Sequence, residues 1–182
     1  MSSALHGGAA LHHLLDLYLV GGSITCTGLT ALVQAVKAGA LKKLRVLELG
    51  RNLIGDSGVV AFSNSLCPRP GEWPSLHFRG LKVLSLEHNL IGDAGVTAFC
   101  DAVAGGKSLL QLQELQLAGN GGIGLKGLTY LIKTLEPCLN PWYWALPQLA
   151  WVDLIAIPCC YILWDRFRDV CKRRHIDYPG RA

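Results

Sequence analysis

The chain contains the same sentence twice. "LRVLELGRNLIGDSGVVAF", residues 44–62, returns 37 residues later as "LKVLSLEHNLIGDAGVTAF", residues 81–99. A fixed internal period constrains the fold more than any single motif, because each copy has to adopt one local structure and bury one apolar side against its neighbours. The pattern extends both ways. Thirty residues upstream, Leu14, Leu17, Leu19, Gly22, Ile24, Gly28 and Leu32 fill the same places, with glycine at the asparagine position. Downstream, Leu112, Leu115, Leu117 and Asn120 match, and one extra residue delays Ile123, Gly127 and Leu131. A fifth start, Leu149, Val152 and Leu154, has Ile157 at the asparagine position and no glycine after it.

Within each unit the hydrophobic period changes. Leucines two apart put their side chains on one face of a short extended segment, whereas Ala31–Leu32 and Ala35–Val36, like Ala98–Phe99 and Ala102–Val103, recur four apart as a buried helical stripe does. Each unit therefore reads as strand, tight turn and helix. The asparagine can bond turn backbone that has no ladder partner, and the glycines relieve crowding where the chain bends into the helix. One such unit cannot enclose its apolar side, but a stack can.

These residues resemble leucine-rich repeat proteins, specifically the ribonuclease-inhibitor-like class with long helical units, through the pattern LxxLxLxxNxIGDxGxxAF. The resemblance covers about residues 14–154. It implies an α/β solenoid, a short horseshoe with a parallel sheet on the concave side and helices on the convex side. The expected organisation is a cap or partial repeat at 1–13, about five units over 14–157 starting near 14, 44, 81, 112 and 149, and a capping helix with a basic tail at 158–182.

The unit spacings alternate, so two connectors carry extra residues. "CPRPGEWPSLHFRG", residues 67–80, and "EPCLNPWYWALPQ", residues 136–148, each place tryptophan beside proline. Trp73 and Trp142 are the candidate loop anchors for a partner; the opposing expectation is that these aromatics, Phe78 among them, fold back over helix ends. Residues 144–164 are mostly apolar and are followed by basic residues, which invites a membrane reading. Pro147, Gln148, Asp153 and Pro158 oppose it, since a central aspartate costs about 2.5 to 3.5 kcal/mol on insertion scales. Leu163, Phe167, Val170 and Cys171 instead share one helical face, as an end helix with one wet side requires.

Composition excludes several classes. A net charge of +4, three units of it from residue 165 onward, is too small to point to nucleic acid. Seven cysteines, mostly dispersed, make no disulfide framework, and the N-terminus lacks a secretory pattern, so a reducing, cytoplasmic setting is expected. Cys171 and His175, four apart with Cys159 and Cys160 nearby, match no strong zinc signature. "AGNGGIG", residues 118–124, occupies a repeat turn and is no dinucleotide fingerprint. No catalytic residue, metal or cofactor is assigned.

Strand alternation selects the functional surface. With the leucines turned inward, the residues between them face the concavity or its rim: Asp16, Tyr18, Arg45, Glu48, Arg51, Lys82, Ser85, Glu87, His88, Glu114, Gln116, Trp151 and Asp153. This mixture of aromatic, arginine and carboxylate side chains suits a protein partner better than a phosphate. The expected function is a non-enzymatic adaptor or scaffold, with membership of a larger assembly left open. Two alternatives stand beside it: a GTPase-activating regulator, since the units are also similar to those of Ran GTPase-activating proteins with Arg51 beside Asn52, and a membrane-attached adaptor using residues 144–164.

Overall fold

A computed structural model describes residues 11–66, 78–104, 109–136, 145–158 and 160–179, except for the side chains of Cys160 and Tyr161. Strands and helices alternate along the chain: β1 (Asp16–Tyr18), α1 (Cys26–Lys37), β2 (Val46–Glu48), α2 (Asp56–Leu66), β3 (Val83–Ser85), α3 (Asp93–Ala104), β4 (Glu114–Gln116), α4 (Leu125–Leu135), β5 (Trp151–Asp153) and α5 (Cys160–Arg174). All pairs are parallel, in the order β1-β2-β3-β4-β5. Parallel neighbours require a crossover between them, and here each crossover is the unit's own helix. The helices pack side by side in chain order.

The central leucine of each strand fixes the register. Leu17, Leu47, Leu84, Leu115 and Val152 stand in one line, and the last four have no exposed surface. Leu44, Leu49 and Ile54, with their equivalents in the next units, stack beside them under Phe62, Val96, Phe99, Leu131 and Ile132 of the helices. Each fully buried side chain of this size contributes about 1.5–3 kcal/mol. The alanine stripe is only partly buried: in α1 Leu32 and Val36 are buried but Ala31 is exposed and Ala35 half-buried, whereas in α3 Ala98 is half-buried and Ala102 is buried with Phe99 and Val103.

Two side-chain ladders join the units. Asn52 Nδ2 donates to Leu19 O at 2.8 Å, Leu49 O at 2.9 Å and Gly50 O at 3.1 Å, while its Oδ1 accepts Ile24 N–H at 2.9 Å. Asn89 repeats the pattern with Leu49 O, Leu86 O, Glu87 O and Ile54 N–H, and Asn120 with Leu86 O, Leu117 O and Ile91 N–H. Each asparagine thus satisfies its own turn and the preceding one, which is why an amide, both donor and acceptor, is needed there.

The second ladder runs between helix starts. Asp56 Oδ1 accepts Gly92 N–H at 2.6 Å and Gly95 N–H at 2.9 Å, and Asp93 Oδ1 accepts Gly124 N–H and Gly127 N–H, both at 2.7 Å. One unit earlier the first helical residue is Cys26, whose Sγ accepts Gly55 N–H at 3.2 Å. The Ser57 hydroxyl, together with the Gly55 and Gly58 amides, draws this thiol below its ordinary pKa of 9.0 against the opposing effect of partial burial. Glycine follows at each joint because the previous helix is close. A Cβ on Gly58, Gly95 or Gly127 would lie 3.1, 3.3 and 3.1 Å from the Cα of Cys26, Asp56 and Asp93.

The last unit is closed by α5 and the residues after it. Phe167, Val170 and Cys171 are buried, and Trp164, Phe167 and Tyr178 form an aromatic cluster with centroid separations of 5.4–5.7 Å. The Arg174 guanidinium donates to Leu135 O and Leu146 O, tying α5 to the end of α4 and to the loop before β5. Asp177 then runs beside Trp151, with Val152 N–H donating to Asp177 O at 3.0 Å and Asp177 N–H to Ala150 O at 2.7 Å. Among the described residues no helix is long and apolar enough to cross a membrane.

Candidate functional site

The sheet face turned away from the helices carries the polar residues that alternate with the buried leucines. Pairing places Asp16, Val46, Val83, Glu114 and Trp151 in one row and Tyr18, Glu48, Ser85, Gln116 and Asp153 in the next. Arg45 and Lys82 precede the first row, each in contact with the neighbouring strand through main-chain bonds. Arg51 and His88 follow the second row at equivalent turn positions, and both adopt a left-handed backbone, φ 57° and 49°. That conformation turns the chain sharply out of the strand and leaves both side chains exposed on the rim.

The rows differ in accessibility. Tyr18, on the first strand of the described sheet, is 65% exposed, whereas Ser85, in the middle of the same row, is wholly buried. Ser85 thus presents no surface of its own, and its Oγ makes no hydrogen bond of good geometry. Glu48, Glu114, Gln116, Trp151 and Asp153 are half-buried. Asp153 Oδ1 is committed to Ile155 N–H at 2.9 Å. The Glu87 side chain lies against the bare backbone of Gly50, and Arg51 Nε approaches its carboxylate at 4.0 Å. The His88 ring lies against Gly119, whose left-handed backbone favours glycine and where an added Cβ would displace the ring.

Electrostatics single out Glu48. Desolvation raises its pKa above the ordinary 4.5, the nearby Ser85 hydroxyl tempers the rise, and the charges of Glu87 and Glu114 add to it. The face therefore combines a carboxylate-rich centre with cationic side chains at its two rims and aromatic groups at its ends, Tyr18 on β1 and Trp151 on β5. Such a surface can offer hydrogen bonds, charge and aromatic contact to another macromolecule.

The connectors and the last helix carry the remaining candidates. Trp73 and Trp142 lie outside the described residues. Phe78, from the first connector, is buried with its ring centroid 5.0 Å from that of Phe62, so this aromatic folds back over a helix end. Cys171 and His175 differ in setting: burial pushes the Cys171 thiol up to about 12, while His175 is exposed just beyond the helix. Among the described residues no group of three His, Cys, Asp or Glu side chains could hold a metal ion.

Sequence reasoning assigned no role to Asp56 and Asp93. Their recurring Gly-Asp pair after isoleucine was the available signal. It also missed a column of left-handed residues, Leu41, Phe78, Leu109 and Leu146, with φ of 49–57°. Each holds the carbonyl that accepts the N–H of the unit's first leucine.

The family described as Leucine Rich repeat matches residues 40–63, 81–100 and 111–131. Those segments span β2 through α4, the part of the stack where the asparagine ladder is complete. The chain carries leucine-rich repeats and folds as an α/β leucine-rich repeat solenoid. Domains of this kind generally act by binding other proteins. No curated protein matches the sequence.

Proposed function

We propose that the chain is a non-enzymatic interaction module, an adaptor or scaffold, that receives a protein partner on its open, concave sheet face. The observation that carries this reading is the registered double row of Asp16, Tyr18, Glu48, Glu114, Gln116, Trp151 and Asp153, flanked by Arg45, Arg51, Lys82, Glu87 and His88. Side chains in that row are held by a fixed backbone, so a partner meets a preorganised surface and little ordering cost opposes binding.

The test begins with affinity purification and mass spectrometry to obtain a partner. Simultaneous substitution Glu48→Ala, Glu87→Ala and Trp151→Ala is then expected to abolish capture of that partner while the thermal unfolding transition stays cooperative. Equal capture by the triple variant removes the sheet face from the function.

The strand-turn-helix units, with helices of 11 and 12 residues, support assignment to the ribonuclease-inhibitor-like class. The organisation that goes with the proposal is an N-terminal segment 1–13, repeats over 14–157 and a closing helix with basic tail over 158–182. Cys26, Cys100 and Cys171 are free thiols, which suits a reducing, cytoplasmic setting.

A further inference from the structure

Charge on the sheet side of the stack is sorted by position within the repeat. The two residues before each unit's first leucine and the one after it supply Lys42, Lys43, Arg45, Arg79 and Lys82, and in no unit an Asp or Glu. Adjacent units line these cations up. Lys82 N–H donates to Arg45 O at 2.7 Å, and Lys42 and Arg79 each follow a left-handed residue, Leu41 or Phe78.

The outward positions of the sheet itself are the reverse. The residues on either side of each strand's central residue, and the third residue after it, supply Asp16, Glu48, Glu87, Glu114 and Asp153, and in no unit a Lys or Arg.

Opposite charges this close attract. Arg45 and Glu48 are about 10 Å apart along the strand, yet among the described residues none of these five cations pairs with any of these five carboxylates. The approach that does occur is from the opposite rim, Arg51 to Glu87 at 4.0 Å. Glu48 registers the crowding: partial desolvation, with Glu87 and Glu114 nearby, holds its carboxyl above the ordinary range. Beside it in the same row, the Ser85 Oγ is wholly buried and makes no hydrogen bond of good geometry, an acceptor left open between Glu48 and Gln116.

Building on the sheet face as the partner surface, we propose that the segment it receives is a helix divided lengthwise by charge, with Lys or Arg along the flank over Glu48, Glu87 and Glu114 and Asp or Glu along the flank over Arg45, Arg79 and Lys82. Two unmixed strips of charge orient such a partner as it approaches. Their separation of about 10 Å matches a helix about 10–12 Å wide, lying across the strands. Val46 and Val83, half-buried between the strips, meet its underside. An extended segment turns alternate side chains toward and away from the sheet and cannot present two flanks. A uniformly basic segment is repelled by the cation strip, and a uniformly acidic one by the carboxylates.

The probe is a stapled, alanine-based helical peptide of about sixteen residues with Arg along one flank and Glu along the other. Its controls are an isomer with the same residues interspersed and a version with Gln for every Glu. Fluorescence anisotropy against the full chain at physiological ionic strength is expected to show saturable binding of the divided peptide, at least about tenfold tighter than either control. Glu48→Gln with Glu114→Gln, and separately Arg45→Gln with Lys82→Gln, are each expected to weaken it about tenfold in chains whose circular dichroism is unchanged. No binding of the divided peptide, or equal binding of the isomer, overturns the proposal. So does weakening by the carboxylate pair alone, which means that a basic ligand suffices.

Capture of the affinity-purified partner separates the divided helix from the sheet face as such. Capture lost in both charge-neutral pairs supports the divided helix. Capture kept in both pairs but lost with Glu48→Ala, Glu87→Ala and Trp151→Ala overturns it and leaves the sheet face as the partner surface; capture kept throughout removes both. A dimer of the unmodified chain in sedimentation, dissociated by Glu48→Gln with Glu114→Gln, assigns the face to a second copy and likewise overturns it.

Discussion

Asp56 Oδ1 lies 2.9 Å from the amide nitrogen of Gly95, across the joint between α2 and α3 and 39 residues along the chain. A side chain that looks like a helix-start residue of one unit in fact closes the helix start of the next. The carboxylate is used twice, since Gly92 N–H also donates to it. Asp56→Ala leaves two amide donors at a part-buried joint without their acceptor, and the expected loss of stability is about 1–3 kcal/mol. Urea denaturation monitored by circular dichroism measures it; an unchanged midpoint would show that water replaces the carboxylate without cost.

Cys26 occupies the position of Asp56 and Asp93 with a weaker acceptor. Cys26→Asp is expected to stabilise the fold by about 1 kcal/mol, because an ionised acceptor makes a stronger bond to the same amides than sulfur does. The comparison of thermal midpoints decides it, and a lowered midpoint means that the α1–α2 joint is shaped for sulfur.

The asparagine ladder demands both donor and acceptor. Asn89 is 5% exposed, and its amide serves three carbonyls and one main-chain N–H. Asn89→Ala is expected to cost at least about 2 kcal/mol, with several buried groups left unpaired. Asn89→Asp is expected to be worse at neutral pH, since a carboxylate would face Leu49 O, Leu86 O and Glu87 O with no proton to give. Lowering the pH should narrow the gap between Asn89→Asp and wild type as the introduced acid protonates.

Glu48 supplies a pH dependence of its own. Its folded pKa is raised above 4.5, so the folded chain holds the proton more tightly than the unfolded chain does. The associated stability is present below 4.5 and is lost as pH rises through the higher folded value. Glu48→Gln removes the titration, so the variant is expected to be more stable than wild type at neutral pH and to converge with it in acid. Urea midpoints across pH, compared for the two proteins, give the answer.

His175 ends α5 with a left-handed backbone, φ 54°, where His175 N–H donates to Lys172 O and Ile176 N–H to Cys171 O. A residue with a Cβ is disfavoured there. His175→Gly is expected to raise stability by about 0.5–1 kcal/mol, read as a shift in thermal midpoint.

The parts legible in the sequence are those governed by local spacing. The positions of Leu47, Leu84 and Leu115 announced a strand whose central residue points into a core, and the registered rows from Asp16 to Trp151 and from Tyr18 to Asp153 followed from alternation alone. Periodicity could not say which of those outward residues keep any surface. Ser85 stands in the right row but is small, and its neighbours across the strands close over it.

Repetition by itself determined the fold, because near-identical units have to solve the same burial problem in the same way, and stacking is the solution open to a strand-turn-helix unit with one apolar side. Only tertiary structure decided what happens between units: that Asp56 serves Gly95 and not its own helix, that Cys26 is its understudy, that Gly58 packs against the start of the preceding helix, and that Asp177 closes the last strand. Those relationships depend on distances between residues 30 or more positions apart, or on which end of the stack a unit occupies. A local pattern repeated from unit to unit carries no record of either.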